Sequence, residues 1–275
     1  MLAVLLWSTS GFLIKLITVN ALALTGARSA VAALVVLAFV RRPHFTWSVA
    51  QLGGAVAYLC TQVFFVYATK QTTAANAIFL QYTAPVWVAL FSIWFLKERP
   101  LAADLWSMGV ILAGMGLFFA EDLTTQGMVG NVTAILSGVS FAWLVLFMRK
   151  QKDGSPLETI LLGNVLCALV GLPFFWGESS TVADWGGLLF LGVFQIGLSF
   201  VLFSAAIKHL TAIESILIQT LEPVLNPIWV FFVIAEVPTL PALLGGAVVV
   251  LTVTARSVIV ARSELRLRRG GIERG

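Results

Sequence analysis

Long apolar runs separated by short loops take up almost the whole chain of 275 residues. A helix needs about 20 apolar residues to cross the hydrocarbon core of a bilayer. Ten runs reach or approach that length, and they cover roughly residues 2–19, 22–40, 48–69, 73–96, 102–120, 128–148, 157–176, 184–206, 212–234 and 239–261. The runs therefore predict an all-α membrane protein with ten transmembrane helices.

The composition excludes most other classes of protein. Only 11% of the residues are charged and 59% are hydrophobic, whereas a soluble domain carries about 25% charged residues. An ordinary water-soluble enzyme, a nucleic-acid binder and a disordered scaffold are therefore excluded. The expected partners are the lipid bilayer and a small-molecule substrate, and the sequence is compatible with a monomer.

Basic residues fall almost entirely on one side of the predicted membrane. With the N-terminus in the cytoplasm, all but three of the 17 Lys and Arg residues lie in cytoplasmic loops, at the end of the last run or in the C-terminal tail. Because Lys and Arg are retained on the cytoplasmic side, both termini are predicted to be cytoplasmic. Of the three exceptions, Lys15 and Arg28 are expected to extend to water at the outer boundary. Contact with a substrate carboxylate is the alternative for both.

The two halves of the chain resemble each other at an offset of 138 residues. The offset pairs nine identical residues: Lys70 with Lys208, Thr73 with Thr211, Ala74 with Ala212, Ile78 with Ile216, Gln81 with Gln219, Pro85 with Pro223, Val86 with Val224, Glu98 with Glu236 and Pro100 with Pro238. Each half has five predicted spans, an odd number, so the second half would enter the membrane from the opposite side. Inverted repeats around a central cavity are typical of secondary transporters, which bind substrate near the bilayer midplane.

Short motifs in both halves also carry a resemblance to a known family. They are Leu6-Trp7-Ser8 followed by Lys15, Ala84-Pro85-Val86 running to Leu96-Lys97-Glu98-Arg99, and Leu221-Glu222-Pro223-Val224 running to Ala235-Glu236. With these motifs the chain resembles the ten-span EamA-type members of the drug/metabolite transporter superfamily. Among them it is most similar to the YddG-type exporters of aromatic and other amino acids.

The resemblance implies a fold and a function. It implies a first EamA-like repeat at residues 1–120, a second, inverted repeat at 128–261 and a basic cytoplasmic tail at 262–275. It also implies export of small metabolites, amino acids among them, through the bacterial inner membrane by alternating access.

Polar and aromatic side chains within the apolar runs supply the candidate substrate-binding residues. A cavity lined by Trp, Tyr, Gln and Ser would suit a medium-sized zwitterion with an apolar side chain, although packing between helices explains each of these residues equally well. The candidates are Trp7, Ser8, Tyr58, Gln62, Asn76, Gln81, Tyr82, Ser140, Trp143, Gln195, Ser199 and Gln219.

Glu222 is the acidic residue that lies deepest in a predicted span. A carboxylate within the membrane is costly and usually functional, so Glu222 is the candidate for proton coupling. It could instead receive an amino group of the substrate or bond to the backbone freed by Pro223. Because proline removes a backbone hydrogen bond from a helix, Pro85, Pro223 and Pro227 are candidate hinges.

Two glutamates and five glycines are expected to have structural roles. Charges at the membrane interface cost little, which favours a helix-end role for Glu98 and Glu236. Small residues allow helices to pack closely, and we expect this of Gly109, Gly114, Gly116, Gly245 and Gly246.

Other functions are disfavoured by the inventory of side chains. Both histidines, His44 and His209, fall in predicted loops, so no metal site, cofactor or membrane-embedded catalytic site is expected. A proton-coupled antiporter for multiple drugs or organic cations is the main alternative, but its small relatives use a carboxylate in the first span, where this chain has Lys15. A carrier of sugar phosphates would need several deep Lys or Arg residues, and none is expected.

Overall fold

The computed structural model describes residues 1–9, 13–14, 16–120, 127–225 and 239–272, with the backbone alone at 74–75 and 260–272. The regular elements in this part of the chain are all helical. The first half contains α1 (Leu2–Trp7), α2 (Ala21–Val40), α3 (Val49–Gln71), α4 (Ala74–Gln81), α5 (Ala84–Phe95) and α6 (Ala102–Phe118). The second half contains α7 (Met128–Lys150), α8 (Pro156–Gly171), a 3-10 helix (Leu172–Phe175), α9 (Val182–Phe190), a π-helical segment (Leu191–Leu198), α10 (Ser199–Ala206), α11 (Ala212–Gln219) and α12 (Leu240–Ile272).

Seven helical stretches in the described part are long and apolar enough to cross a membrane. They are Ala21–Val40, Val49–Gln71, Asn76–Phe95, Met128–Lys150, Pro156–Phe175, Val182–Ala206 and Leu240–Ile259, and α6 is a shorter apolar helix. These stretches confirm the predicted all-helical, membrane-spanning architecture. The two remaining predicted spans, 2–19 and 212–234, extend into residues outside the described part, so the total of ten stays a prediction.

Polar side chains define where several helices begin. The first N–H groups of a helix have no partner within the helix, and a side-chain oxygen just before the first turn can accept from them. Such N-caps are provided by Asn20 for α2, Ser48 for α3, Thr73 for α4, Thr181 for α9 and Thr211 for α11. Because each cap lies directly before an apolar run, the sequence fixes the helix starts locally.

The fourth predicted span is interrupted near its middle. Helix α4 ends at Gln81 and α5 begins at Ala84, so Tyr82 and Thr83 form a turn between them. Pro85 lies in the first turn of α5, where its missing N–H would have no helical partner in any case. The interruption therefore coincides with the proline.

The second half has an equivalent interruption after α11. This helix ends at Gln219, and the chain is helical again from Leu221 to Leu225, with Pro223 in that first turn. Pro227 and Glu236, the other predicted hinge and the second helix-end glutamate, lie outside the described residues.

Two helix pairs approach closely at glycines. A Cβ atom on Gly26 of α2 would lie 2.4 Å from the backbone of Gly171 in α8, and one on Gly245 of α12 would lie 2.4 Å from the carbonyl oxygen of Gly114 in α6. The expected packing role therefore holds for Gly114 and Gly245, and Gly246 also has close neighbours. For Gly109 and Gly116 the described residues give no support to this expectation, because a Cβ there would meet none of their atoms within 4 Å.

Polar contacts join the two halves at one end of the bundle, which we call the basic end (residues 41–48, 96–101, 149–155 and 207–214 and the side chains of Asp104 and Arg256). Glu98 accepts from Arg149 Nε at 2.8 Å and from the N–H of Ala212 at 3.1 Å. Arg256 contacts Asp104 at 2.7 Å and Glu214 at 3.3 Å. Glu98 thus links the end of α7 to the start of α11.

The opposite end is also held together across the two halves. The N–H of Thr18 donates to Asp184 Oδ1 at 2.8 Å, and Asn20 Nδ2 donates to the carbonyl oxygen of Phe174 at 3.1 Å. Hydrogen bonds therefore join the two halves at both ends of the bundle.

Candidate functional site

A small cavity lies between the two halves of the chain. The first half lines it with Trp7, Arg28, Thr61, Gln62, Phe65 and Gln81, and the second half with Phe141, Gln195, Phe200 and Glu222. Its volume is ≈ 50 Å³, enough for about four water molecules at 10–15 Å³ each.

Arg28 is fully buried at one side of this cavity. It lies seven residues into α2, roughly 10 Å along the helix axis, and only 1% of its surface is exposed. Its Nη2 donates to Gln62 Oε1 at 2.7 Å, and its Nη1 to Gln195 Oε1 at 3.5 Å. The expectation that Arg28 extends to water is wrong, because these two amide oxygens draw the guanidinium inward. The expectation of no deep cation is wrong for the same reason.

Gln195 reaches the cavity from the π-helical segment Leu191–Leu198. A π-helical turn changes the direction in which following side chains point, and such turns are frequent at functional sites. Gly192 of the same segment packs against Val31 of α2. The wide turn therefore lies directly against the helix that carries Arg28.

Glu222 lies just after the helix interruption in the second half of the chain. It contacts the turn that interrupts the helix in the first half, between α4 and α5. The hydroxyl of Tyr82 donates to Glu222 Oε2 at 2.6 Å. Gln81, the residue before Tyr82, donates from Nε2 to Ser137 Oγ at 2.7 Å. The two interrupted helices are therefore joined by a partly buried hydrogen bond next to the cavity.

Aromatic rings form much of the remaining wall. Trp7 makes edge-to-face contacts with Phe200 and Phe203, at centroid distances of 5.1 and 5.3 Å. Phe65 and Phe141 complete the apolar lining. The described lining thus combines one cation, one carboxyl group and three glutamines with aromatic surface.

The sequence identified part of this site. Five of the candidate residues line the cavity, namely Trp7, Gln62, Gln81, Gln195 and Glu222. Tyr82 does not line the cavity but bonds to Glu222, which does.

Other candidates lie elsewhere in the bundle. The Tyr58 hydroxyl donates to Asn164 Oδ1 at 2.9 Å, and Asn76 Nδ2 donates to Asn131 Oδ1 at 2.9 Å. Trp143 stacks on Phe91 at 5.0 Å. Ser8, Ser199 and Gln219 donate to backbone carbonyls of their own helical turns, and Ser140 is half-buried. None of these seven residues is in the cavity lining.

Sequence reasoning missed Thr61, Phe65, Phe141 and Phe200, and it gave Arg28 a substrate contact only as the alternative to reaching water. A signal was available for Arg28, since a cation seven residues into an apolar run is too deep for an ordinary helix end. The other four are apolar or weakly polar residues in apolar helices, and their sequence context resembles that of lipid-facing or packed neighbours.

Comparison with known proteins places the chain in a family. The sequence profile of the EamA-like transporter family matches residues 1–120 and again residues 128–256. The chain belongs to this family. As an EamA-family protein it is a multi-pass membrane transporter, which confirms the resemblance to the drug/metabolite transporter superfamily.

Individual relatives in the comparisons are also transporters. An uncharacterized transporter of Archaeoglobus fulgidus is 30% identical over 201 residues, which cover 72% of each chain. The pseudopaline exporter CntI of Pseudomonas aeruginosa is 27% identical over 212 residues, or 74% of this chain and 72% of CntI. A crystal structure with 19% sequence identity superposes with a TM-score of 0.79, over 94% of this chain and 95% of its own. That similarity shows a shared fold.

Proposed function

We propose that this EamA-family protein exports amino acids, aromatic and other neutral ones, and related small metabolites across the bacterial inner membrane by alternating access. The observation that carries the proposal is the cavity, which is lined by both halves beside two interrupted helices. It offers Arg28 and Glu222, groups of opposite ionic character, together with aromatic surface. Zwitterions with apolar side chains fit that combination.

Alternating access requires two units that exchange conformations, and the 138-residue offset supports such units. Helices α4 and α11 begin and end at equivalent positions, Ala74–Gln81 and Ala212–Gln219. Equivalent lysines also make equivalent contacts: Lys70 Nζ donates to the carbonyl oxygen of Ile17, and Lys208 Nζ to that of Gly154. We propose that the two units are five-helix repeats of opposite membrane topology.

The orientation follows from the charges. The basic end contains Arg41, Arg42, Lys97, Arg99, Lys152 and Lys208. We assign this end, and both termini, to the cytoplasm because loops rich in Lys and Arg are retained there.

Counterflow in proteoliposomes tests the proposed substrate class. Vesicles loaded with unlabelled amino acid are expected to accumulate labelled amino acid from a panel that includes phenylalanine, leucine and alanine. Empty vesicles are the control. Movement of ethidium without amino-acid exchange would refute the proposal and favour an organic-cation antiporter, a function that the buried Arg28 cation opposes by repulsion.

Glu222 is proposed as the coupling residue, because one carboxylate can hold either a proton or a substrate ammonium group but not both. Tyr82 donates to it, and Arg28 is the other ionisable side chain among the described residues that line the cavity. In Glu222→Gln, the initial exchange rate is expected to become independent of a pH gradient. Asp153→Asn, which changes an exposed loop carboxylate at the basic end, is expected to keep the wild-type response. If a pH gradient changes the initial exchange rate of Glu222→Gln as much as that of the wild type, Glu222 is not the coupling residue.

A further inference from the structure

Arg28 is a buried cation with no carboxylate partner in the part of the chain that the structure describes. Among the described residues, no carboxylate oxygen lies within 4.0 Å of its guanidinium. Its acceptors are the neutral amides of Gln62 and Gln195, and its Nε has no hydrogen-bond partner within the described ranges. Neutral acceptors satisfy hydrogen bonds but leave the charge uncompensated, and a buried charge is costly unless it is paired.

A second buried arginine provides the contrast within the same chain. Arg256 is 5% exposed, and both its Nε and its Nη2 donate to Asp104 Oδ1, at 2.8 and 2.7 Å. That arginine has the carboxylate that a structural role requires. Both arginines border cavities, but among the described residues only Arg256 has a carboxylate within ion-pair distance. This difference indicates that the partner of Arg28 is a molecule that enters its cavity.

We propose that Arg28 binds the carboxylate of the transported substrate and makes that carboxylate a requirement for transport. Arginine presents a planar fork of N–H groups that matches two carboxylate oxygens. Gln62 and Gln195 hold the fork from two different helices, so they position Arg28. This inference rests on the proposed function and narrows its substrates to molecules with a free carboxyl group.

Glu222 and the aromatic wall complete the recognition of an amino acid. Glu222 lines the same cavity from the other half and can accept a substrate ammonium group. The rings of Trp7 and Phe200 supply apolar surface for a side chain. The first half of the chain thus binds the substrate carboxylate through Arg28, and the second half binds the substrate ammonium group through Glu222.

The test uses two probes that differ only in the carboxyl group, phenylalanine and phenylalaninamide. If another amino acid of the panel exchanges faster, that amino acid and its amide replace them. Wild-type protein in proteoliposomes is expected to prefer the acid over the amide in competition by about tenfold to a hundredfold, the effect of hydrogen bonds to a charged group. Arg28→Gln is expected to reduce the preference to within about twofold. Arg28→Lys keeps the charge without the fork and is expected to be intermediate.

The control variant is Arg256→Gln, which changes a buried arginine away from the cavity. The amount of folded protein is expected to fall, but the protein that does fold is expected to prefer acid over amide as the wild type does. Should Arg28→Gln fail to fold, the preference of the wild type and that of the Arg28→Lys variant still test whether Arg28 binds the substrate carboxylate. Equal competition by acid and amide in the wild type would overturn the role of Arg28 and leave amino-acid export standing. Wild-type protein that exchanges no amino acid would refute the proposed function itself.

Discussion

Arg256→Met is expected to lower the free energy of unfolding by about 3–5 kcal/mol, the usual cost of removing one partner from a buried ion pair. The side chain of Asp104 is 3% exposed and would keep its charge without Arg256. The N–H of Leu101 would remain as a donor to Asp104, at 2.8 Å, but one neutral donor does not replace an arginine. Denaturant titration in detergent micelles measures the loss.

Two further variants separate this explanation from a general loss of packing. Adding Asp104→Asn to Arg256→Met removes the stranded charge, so the double variant is expected to be more stable than Arg256→Met alone. Arg149→Met removes a more exposed pair, since 28% of the Glu98 side chain is accessible, and a loss of only about 1 kcal/mol is expected. Equal losses for Arg149→Met and Arg256→Met would contradict the argument from burial.

Gly171→Ala is the second substitution with a large expected effect. Its Cβ would lie 2.4 Å from the carbonyl oxygen of Leu22 and 2.5 Å from the backbone nitrogen of Gly26. Backbone atoms cannot move aside as a flexible side chain can, so α2 and α8 must separate. We expect a loss at or above the upper end of the about 1–3 kcal/mol that overpacking usually costs. Transport should fall as well, because α2 carries Arg28.

The matched control is Gly109→Ala, which adds the same methyl group to another membrane helix. No atom of the described residues lies within 4 Å of the added Cβ, and alanine favours a helix over glycine, so the melting temperature is expected to stay the same or rise slightly. A Gly171→Ala protein as stable as Gly109→Ala would show that α2 and α8 do not pack as described.

The helical architecture was predictable from the sequence because the bilayer imposes a simple rule. Backbone polar groups have no water partners in the hydrocarbon core, so each apolar run must form a helix. The runs at 48–69 and 128–148 accordingly become α3 and α7, with ends shifted by only a few residues. The π-helical turn within the run at 184–206 was not predictable, because apolar residues there give no local signal for it.

The site was only partly predictable, for a reason that Arg28 and Tyr58 illustrate. Position in a helix gives the depth of a side chain but not the partner that faces it. Tyr58 was expected in the cavity, but it bonds to Asn164 of α8. Arg28 was expected in water, but Gln62 and Gln195 hold it inside. Both outcomes depend on which helices are neighbours.

The sequence by itself determined that the chain is a helical membrane protein, where most of its helices begin and that its halves are related. Hydropathy and caps act locally along the chain, and the repeated residues are visible by comparing the sequence with itself. Only the tertiary structure decided which polar groups meet. It brought Arg28, Gln195 and Glu222 from separate helices to one cavity and left Asn76 and Trp143 outside it. The physical reason is that helix packing determines which side chain lies next to each buried charge. Close approaches such as that of Gly26 to Gly171 set this packing.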